Sequence, residues 1–209
     1  MPPEENAMSS LSGYGPGPFT VESFRPWLDS RSPEERWELI DGVAVMNLAP
    51  RVGHQRIASN LERALNDALA RSRPTWRADR EIGIEVADDS PYRPEPELTV
   101  VDTGIDPERN YLDRFYMVVE VVSESDKGRP IEAKVAFYKG HPHALWIVVV
   151  QQTEVAVEIH ARQEGGGWSV RTLKSPSDVL AFGEIGAVCT VADLYRHTNL
   201  DPAHVIDPR

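Results

Sequence analysis

The sequence predicts an α/β (α+β-like) fold, a mixed central β-sheet flanked by helices. Three observations lead there. "GHQRIASNLERALNDALAR" at 53–71 carries Ile57, Leu61, Leu65 and Leu69 at four-residue spacing, with Ala58, Ala64 and Ala68 beside them. A single apolar stripe of this kind packs a helix on something flat, most simply a sheet. "RFYMVVEVVS" at 114–123 is an apolar run of strand length interrupted by one carboxylate, Glu120. The elements then run helix, hairpin, helix, several strands, helix, strands. This is not the regular alternation of a doubly wound sheet, and neither GxGxxG nor a Walker loop occurs.

The elements follow in order. "FTVESFRPWLD" has a Thr cap and helical spacing, giving a short helix over 20–29. Ser32 caps a short turn with Glu35 three residues on. "WELI" and "VAVMN" flank Asp41-Gly42, a two-residue hairpin signal. The helix at 53–71 comes next. "TWRADREIGIEVADD" reads as a strand with Ile82, Ile84 and Val86 on one side, "SPYRP" as a turn, and "ELTVVD" as a short strand. "DTGIDPERNYLD" is a loop before the strand of Glu120. "GRPIEAKVAFYKG" is a helix ended by Gly140 as a left-handed cap. "HPH" at 141–143 makes a turn, "ALWIVVVQQTEVAVEIHA" two strands, "GGGWSVRTLK" a further hairpin arm, and "VADLY" a closing helical turn. Residues 1–18, rich in Pro, Gly and Ser, form a disordered arm, and 19–209 a single domain.

Composition narrows the function classes. The chain has 209 residues, 41% hydrophobic and 26% charged, enough for a full core. No apolar stretch is long enough to cross a bilayer, so no membrane partner is expected. The N-terminal stretch lacks the basic-then-apolar order of a signal peptide. One cysteine, Cys189, excludes a disulfide framework and a cysteine zinc site, and fits a reducing cytoplasm. The six histidines form no HxxxH or HExxH pair. A net charge of −11 counts against a broad nucleic-acid footprint but leaves room for a local basic groove. Arg51, Arg56, Arg93, Lys127 and Arg129 are the residues placed to flank such a groove.

Glu120 poses the chemical question. A carboxylate inside an apolar strand is costly unless it is paired, protonated or bound to a metal. Strand alternation puts Tyr116, Val118, Glu120 and Val122 on one face, and Met117, Val119 and Val121 on the other. In the preceding strand, Glu95 and Glu97 stand at the entry, Glu97 after Pro96. If the two strands are neighbours, Glu97 and Glu120 converge. Two carboxylates at one point require a cation or a proton between them, and oxygen ligands suit Mg²⁺ or Mn²⁺. On the next helix Ile131, Lys134, Val135 and Tyr138 form one stripe, so Lys134 sits on the apolar face within reach of Glu120. A lysine there suits phosphodiester hydrolysis, where it stabilises hydroxide and offsets charge growing in the transition state.

With those residues in place, the chain resembles the Uma family of putative restriction endonucleases, a branch of the PD-(D/E)XK nuclease superfamily. The matching stretches are "WELIDGVAV", "GHQRIASNLERAL", "PELTVVD", "MVVEVVSESD", "EAKVAFYKG", "LWIVVV" and "VADLY", in family order over roughly residues 20–196. The resemblance implies a restriction-endonuclease-like fold and a Mg²⁺- or Mn²⁺-dependent endonuclease acting on nucleic acid, DNA first of all. It implies that Glu97 stands at the family's first metal carboxylate and Glu120 at the second. The backbone carbonyl of Val121 would also face the metal, and Lys134 would be the catalytic lysine, with Tyr138 one turn later. Glu38 matches an acidic position that helps hold metal in related nucleases. Two departures stand out: Glu97 replaces an Asp, with Glu95 the alternative aligned residue, and position 122 is Val where the superfamily pattern has a lysine. Relatives pair to cut two strands, which implies a homodimer.

Blander readings stand beside these. Glu120 can be a structural carboxylate paired with a core Arg or Lys. Lys134 can snorkel to water. His54 reads as a helix cap or surface residue rather than a ligand. Ser123 and Ser125 form a turn, with Ser123 able to touch phosphate, and Asp126 and Lys127 a solvated loop. Two functions of different class follow: a metal-dependent nuclease, or a catalytically inactive nuclease-fold binding or interaction protein.

Overall fold

The structure, a computed structural model, describes residues 17–122 and 131–203. The arm expected over 1–18 lies outside them except for its last two residues, as do Ser123, Ser125, Asp126, Lys127 and Arg129. The chain divides into two compact units, Met1–Ala49 with Glu85–Pro94, and Pro50–Ile84 with Glu95–Arg209.

In the first unit, helix α1 (Val21–Asp29) starts at Thr20, whose hydroxyl accepts from Ser23 N while the Ser23 side chain answers the Thr20 backbone. Strands β1 (Arg36–Ile40) and β2 (Val43–Asn47) pair antiparallel, with Ile40 opposite Val43. That register leaves Asp41-Gly42 as the two-residue turn, at φ of 51° and 75°, the left-handed pair that a twisted hairpin demands. Val21, Phe24, Leu39 and Ala44 make a small core under Trp27 and Trp37, whose rings meet edge-on at 5.0 Å. The 85–94 segment is tied in by a bridge from Arg93 to Leu39 and by Glu85, which takes Arg93 Nε at 2.6 Å and pairs with Arg25. Burial alone would raise the Glu85 pKa; the two guanidiniums outweigh it and hold the carboxyl below its ordinary value.

The second unit is built on one six-stranded sheet. Helix α2 (Val52–Ser72) precedes β3 (Trp76–Arg80), and β4 (Gly83–Ile84) follows it. After the excursion come β5 (Leu98–Asp102), β6 (Tyr111–Leu112) and β7 (Met117–Val122). Helix α3 (Ile131–Gly140) leads to β8 (Trp146–Gln151), β9 (Val157–Arg162) and β10 (Trp168–Leu173). Strands β11 (Val179–Phe182) and β12 (Gly186–Thr190) and helix α4 (Val191–Leu194) complete it. The sheet order is β10-β9-β8-β7-β5-β3. Only the central β7–β8 pair in this sheet is parallel, and α3 is the helix in its crossover. The sheet is mixed and flanked by helices, as the sequence predicts.

The two faces carry different cores. On one, Ile57, Leu61, Leu65 and Leu69 of α2 cover Leu98, Val100, Met117, Val119, Val121, Val148 and Val150. Each such leucine or isoleucine, fully buried, contributes about 1.5–3 kcal/mol of burial free energy. Asn66 anchors the helix to edge strand β3: its amide nitrogen donates to Ala78 O at 2.9 Å, and its amide oxygen accepts from Ala78 N at 3.0 Å. On the other face, Tyr138 of α3 packs with Phe115, Val118 and Ile147.

Three expectations about local structure need correction. The strand read through 75–89 breaks after Arg80, because Glu81 turns left-handed (φ 55°). Ile84 is buried while Val86 is exposed, so the alternation stops there. Gly83 is where the Tyr111 ring packs on the backbone: a Cβ would lie 2.1 Å from Tyr111 Cε1. Gly140 is not left-handed; it is the last residue of α3, and His141 N closes the turn onto Tyr138 O at 3.1 Å. The β11–β12 hairpin and the two-residue β6 have no counterpart in the sequence reading.

Candidate active site

Strand β5 runs antiparallel beside β7, with Leu98 opposite Val119 and Thr99 opposite Val118. One residue further along that register, Glu97 falls opposite Glu120. The entry of β5 and the exit of β7 thus meet at one end of the sheet. The first turn of α2 lies at this end too: a Cβ on Gly53 would stand 3.8 Å from Gln152 Nε2, and Gln152 N donates to Val122 O at 2.8 Å.

Glu120 is 7% exposed and is held from the α3 side. Lys134 Nζ lies 2.7 Å from Glu120 Oε1, and the Tyr138 hydroxyl donates to the same oxygen at 2.6 Å. Lys134 is 8% exposed and Tyr138 is fully buried, so the stripe read from the sequence places both where α3 meets the sheet. Lys134 does not snorkel to water. Such a buried pair gains little net stability, since desolvation of each ion costs several kcal/mol, of the order the attraction returns.

Glu97 has a different neighbour. His54 Nε2, on the first turn of α2, approaches Glu97 Oε1 to 2.6 Å. The approach lacks the alignment of a hydrogen bond, and Nε2 is buried with no hydrogen-bond partner. His54 is neither cap nor surface residue: it is 7% exposed, and no side chain caps α2. Its position at the start of a long apolar-striped helix was the available signal, and the cap preference of polar residues there masked it. Glu95 accepts from the Tyr111 hydroxyl. It lines a shallow pocket of about 380 Å³ with Arg80, Glu81, Ile82, Arg109, Asn110 and Tyr111; Glu97, Glu120 and Lys134 are not in that lining.

The remaining expected residues are placed as follows. Val121 buries its side chain in the α2-side core. Glu38 is buried on β1 of the first unit, 4% exposed. Arg93 is buried beside Glu85, and Arg56 donates to His197 O. Arg51 is exposed at the start of α2. Burial pushes the Cys189 thiol up to about 12, away from the thiolate form.

Among the described residues, no group of three His, Cys, Asp or Glu side chains is already arranged around a metal position. The donor set nevertheless fits a divalent ion in kind. It combines two carboxylates at adjacent strand ends with a buried imidazole nitrogen that has no hydrogen-bond partner. Among the described residues no helix is long and apolar enough to cross a membrane.

Comparison with known proteins bears on the fold and the family. A solved structure, a putative nuclease belonging to DUF820 from Anabaena variabilis, superposes with a TM-score of 0.66 at 16% identity, covering 85% of this chain and 98% of that one. That likeness shows the fold. No curated protein matches the chain. The family profile Uma2, described as "Putative restriction endonuclease", matches residues 21–188. The chain therefore belongs to the Uma2 family of putative restriction endonucleases.

Proposed function

We propose that the protein is a metal-dependent endonuclease that hydrolyses phosphodiester bonds in nucleic acid, DNA first of all. The observation that carries this is the buried Glu120, gripped by Lys134 and Tyr138 at the sheet end where Glu97 enters. Family membership supports the same reaction class.

Glu97 and Glu120, with the Val121 carbonyl, are the groups that would hold Mg²⁺ or Mn²⁺. When bound, such an ion lowers the pKa of water and neutralises phosphate charge. The protein's own residues do the rest. Tyr138 fixes the rotamer of Glu120 through its hydroxyl. Lys134 positions the attacking water and donates to the phosphate oxygens as negative charge grows on them. Water oxygen bonds to phosphorus, the phosphorus–ester oxygen bond breaks, and the products are an alcohol and a phosphate monoester. A pair of copies acting together would cut both strands of a duplex. Glu95 and Glu38 have no part in this minimal set.

A second reading is supported by a specific observation. Lys134 and Tyr138 already satisfy Glu120 Oε1, as they would in a nuclease fold kept only for binding. Cleavage of supercoiled plasmid in Mg²⁺ and in Mn²⁺, by the wild type and Glu120→Gln, separates the two. The nuclease reading expects nicking by the wild type alone. Equal cutting by both would remove the chemistry from Glu120, and no cutting of plasmid, single-stranded DNA or RNA would favour the binding fold.

A further inference from the structure

His54 stands at the sheet end beside Glu97 and takes no part in the proposed hydrolysis. It is 7% exposed, and its Nε2 lies 2.6 Å from Glu97 Oε1 without a hydrogen bond between them. A buried polar atom without a partner is costly, because it has given up its hydrogen bonds to water for nothing. A carboxylate oxygen and an imidazole nitrogen pressed together without an aligned proton need positive charge near both. A shared cation supplies it. Cis ligands on an ion with bonds near 2.1 Å lie about 3 Å apart, so the pair needs to open by only a few tenths of an ångström.

We propose that His54 is an inner-sphere ligand of the divalent ion, binding through Nε2 beside Glu97. This rests on the nuclease reading and deepens it, because a nitrogen donor changes which ion the site prefers. Mg²⁺ is a hard ion that takes oxygen ligands, whereas imidazole suits Mn²⁺ and the later first-row ions. The site is accordingly tuned to Mn²⁺ over Mg²⁺. The longer Glu97 fits the same picture: from the strand entry it reaches toward α2, where His54 stands.

Mn²⁺ titration of the full chain, followed by electron paramagnetic resonance, tests this without reference to activity. Pulsed measurements on the bound ion detect ¹⁴N coupling only if a nitrogen ligand is present. The wild type is expected to bind Mn²⁺ with ¹⁴N modulation. His54→Gln is expected to lose the modulation and to bind Mn²⁺ roughly tenfold or more weakly, with an unchanged circular dichroism melt. Glu97→Gln serves as a second variant and should weaken binding as much while keeping the fold. Bound Mn²⁺ without ¹⁴N coupling, or coupling that persists in His54→Gln, would overturn the role of His54 and leave the nuclease reading intact. No Mn²⁺ binding by the wild type would overturn both.

Discussion

Glu97 and Glu120 stand across one strand pair, yet the protein treats them differently. Glu120 sits inside β7 and takes two contacts on one oxygen, from Lys134 at 2.7 Å and Tyr138 at 2.6 Å. Glu97 sits at the bend before β5, its side chain 22% exposed, with a histidine nearby but no aligned hydrogen bond. Glu120 is held by two donors on one oxygen, whereas Glu97 has an imidazole close by with no hydrogen bond between them. A carboxylate locked by its partners can set the position of a reacting group, and a looser one can adapt its reach to an ion. The difference teaches that burial alone does not mark the functional carboxylate. What its partners leave unsatisfied matters as much.

Substitutions can break this contrast. Glu120→Ala should have the largest effect. Buried Lys134 would lose its Glu120 partner, costing about 3–5 kcal/mol, and plasmid cleavage should fall to background. Urea unfolding and a nicking assay read the two effects. Lys134→Met should lower the cleavage rate by about 10²–10³-fold, the usual loss for one group that stabilises transition-state charge. Tyr138→Phe removes one hydrogen bond to a charged group and should cost about 1.5–3 kcal/mol, read from the shift in urea midpoint. Glu97→Gln should change stability by less than about 1 kcal/mol, because the pair it breaks is partly exposed and unaligned, while still abolishing cleavage. If Glu97→Gln destabilised the protein as much as Glu120→Ala, the contrast would be gone and Glu97 would be structural.

The smallest effect concerns pH. Burial is the first cause that holds His141 and His160 below their ordinary value of 6.5; around His160, Lys139 adds to it and Glu158 opposes. In each case the unfolded chain takes up the proton first. Their contribution is therefore complete above pH 6.5 and is lost as pH falls toward the lowered folded values. The urea midpoint should drop as pH falls below about 6.5, and His160→Gln should flatten the drop.

Much of this was legible in the sequence because period and composition acted together. The stripe Ile57, Leu61, Leu65 and Leu69 foretold α2 and its seat on a sheet, and that helix covers the β5, β7 and β8 side chains. The position of Lys134 and Tyr138 on one stripe foretold that both would be buried at the sheet. Asp41-Gly42 foretold the hairpin, since its left-handed backbone is a local property of those two residues. Where long-range packing decides, the sequence was silent. Nothing local announces that Glu81 turns the chain, or that the Tyr111 ring comes to lie on Gly83 two residues on. His54 was unreadable for the same reason: a polar residue at a helix start looks like a cap until the sheet end is placed against it. The β11–β12 hairpin was hidden by short apolar runs interrupted at Gly183 and Gly186, both left-handed.

The central claim is that the Glu120–Lys134 pair exists for chemistry and not to hold the fold. The double variant Glu120→Leu/Lys134→Met addresses it most directly, because replacing both ions by apolar side chains removes the unpaired charge that would confuse either single change. Plasmid cleavage and urea unfolding should be measured on the same preparation. The account predicts a stability loss no larger than about 1–3 kcal/mol, the cost of leaving the buried Tyr138 hydroxyl without its Glu120 acceptor, with cleavage lost in both Mg²⁺ and Mn²⁺. A variant that cuts as fast as the wild type, or a wild type that cuts no nucleic acid while the double variant fails to fold, would contradict it.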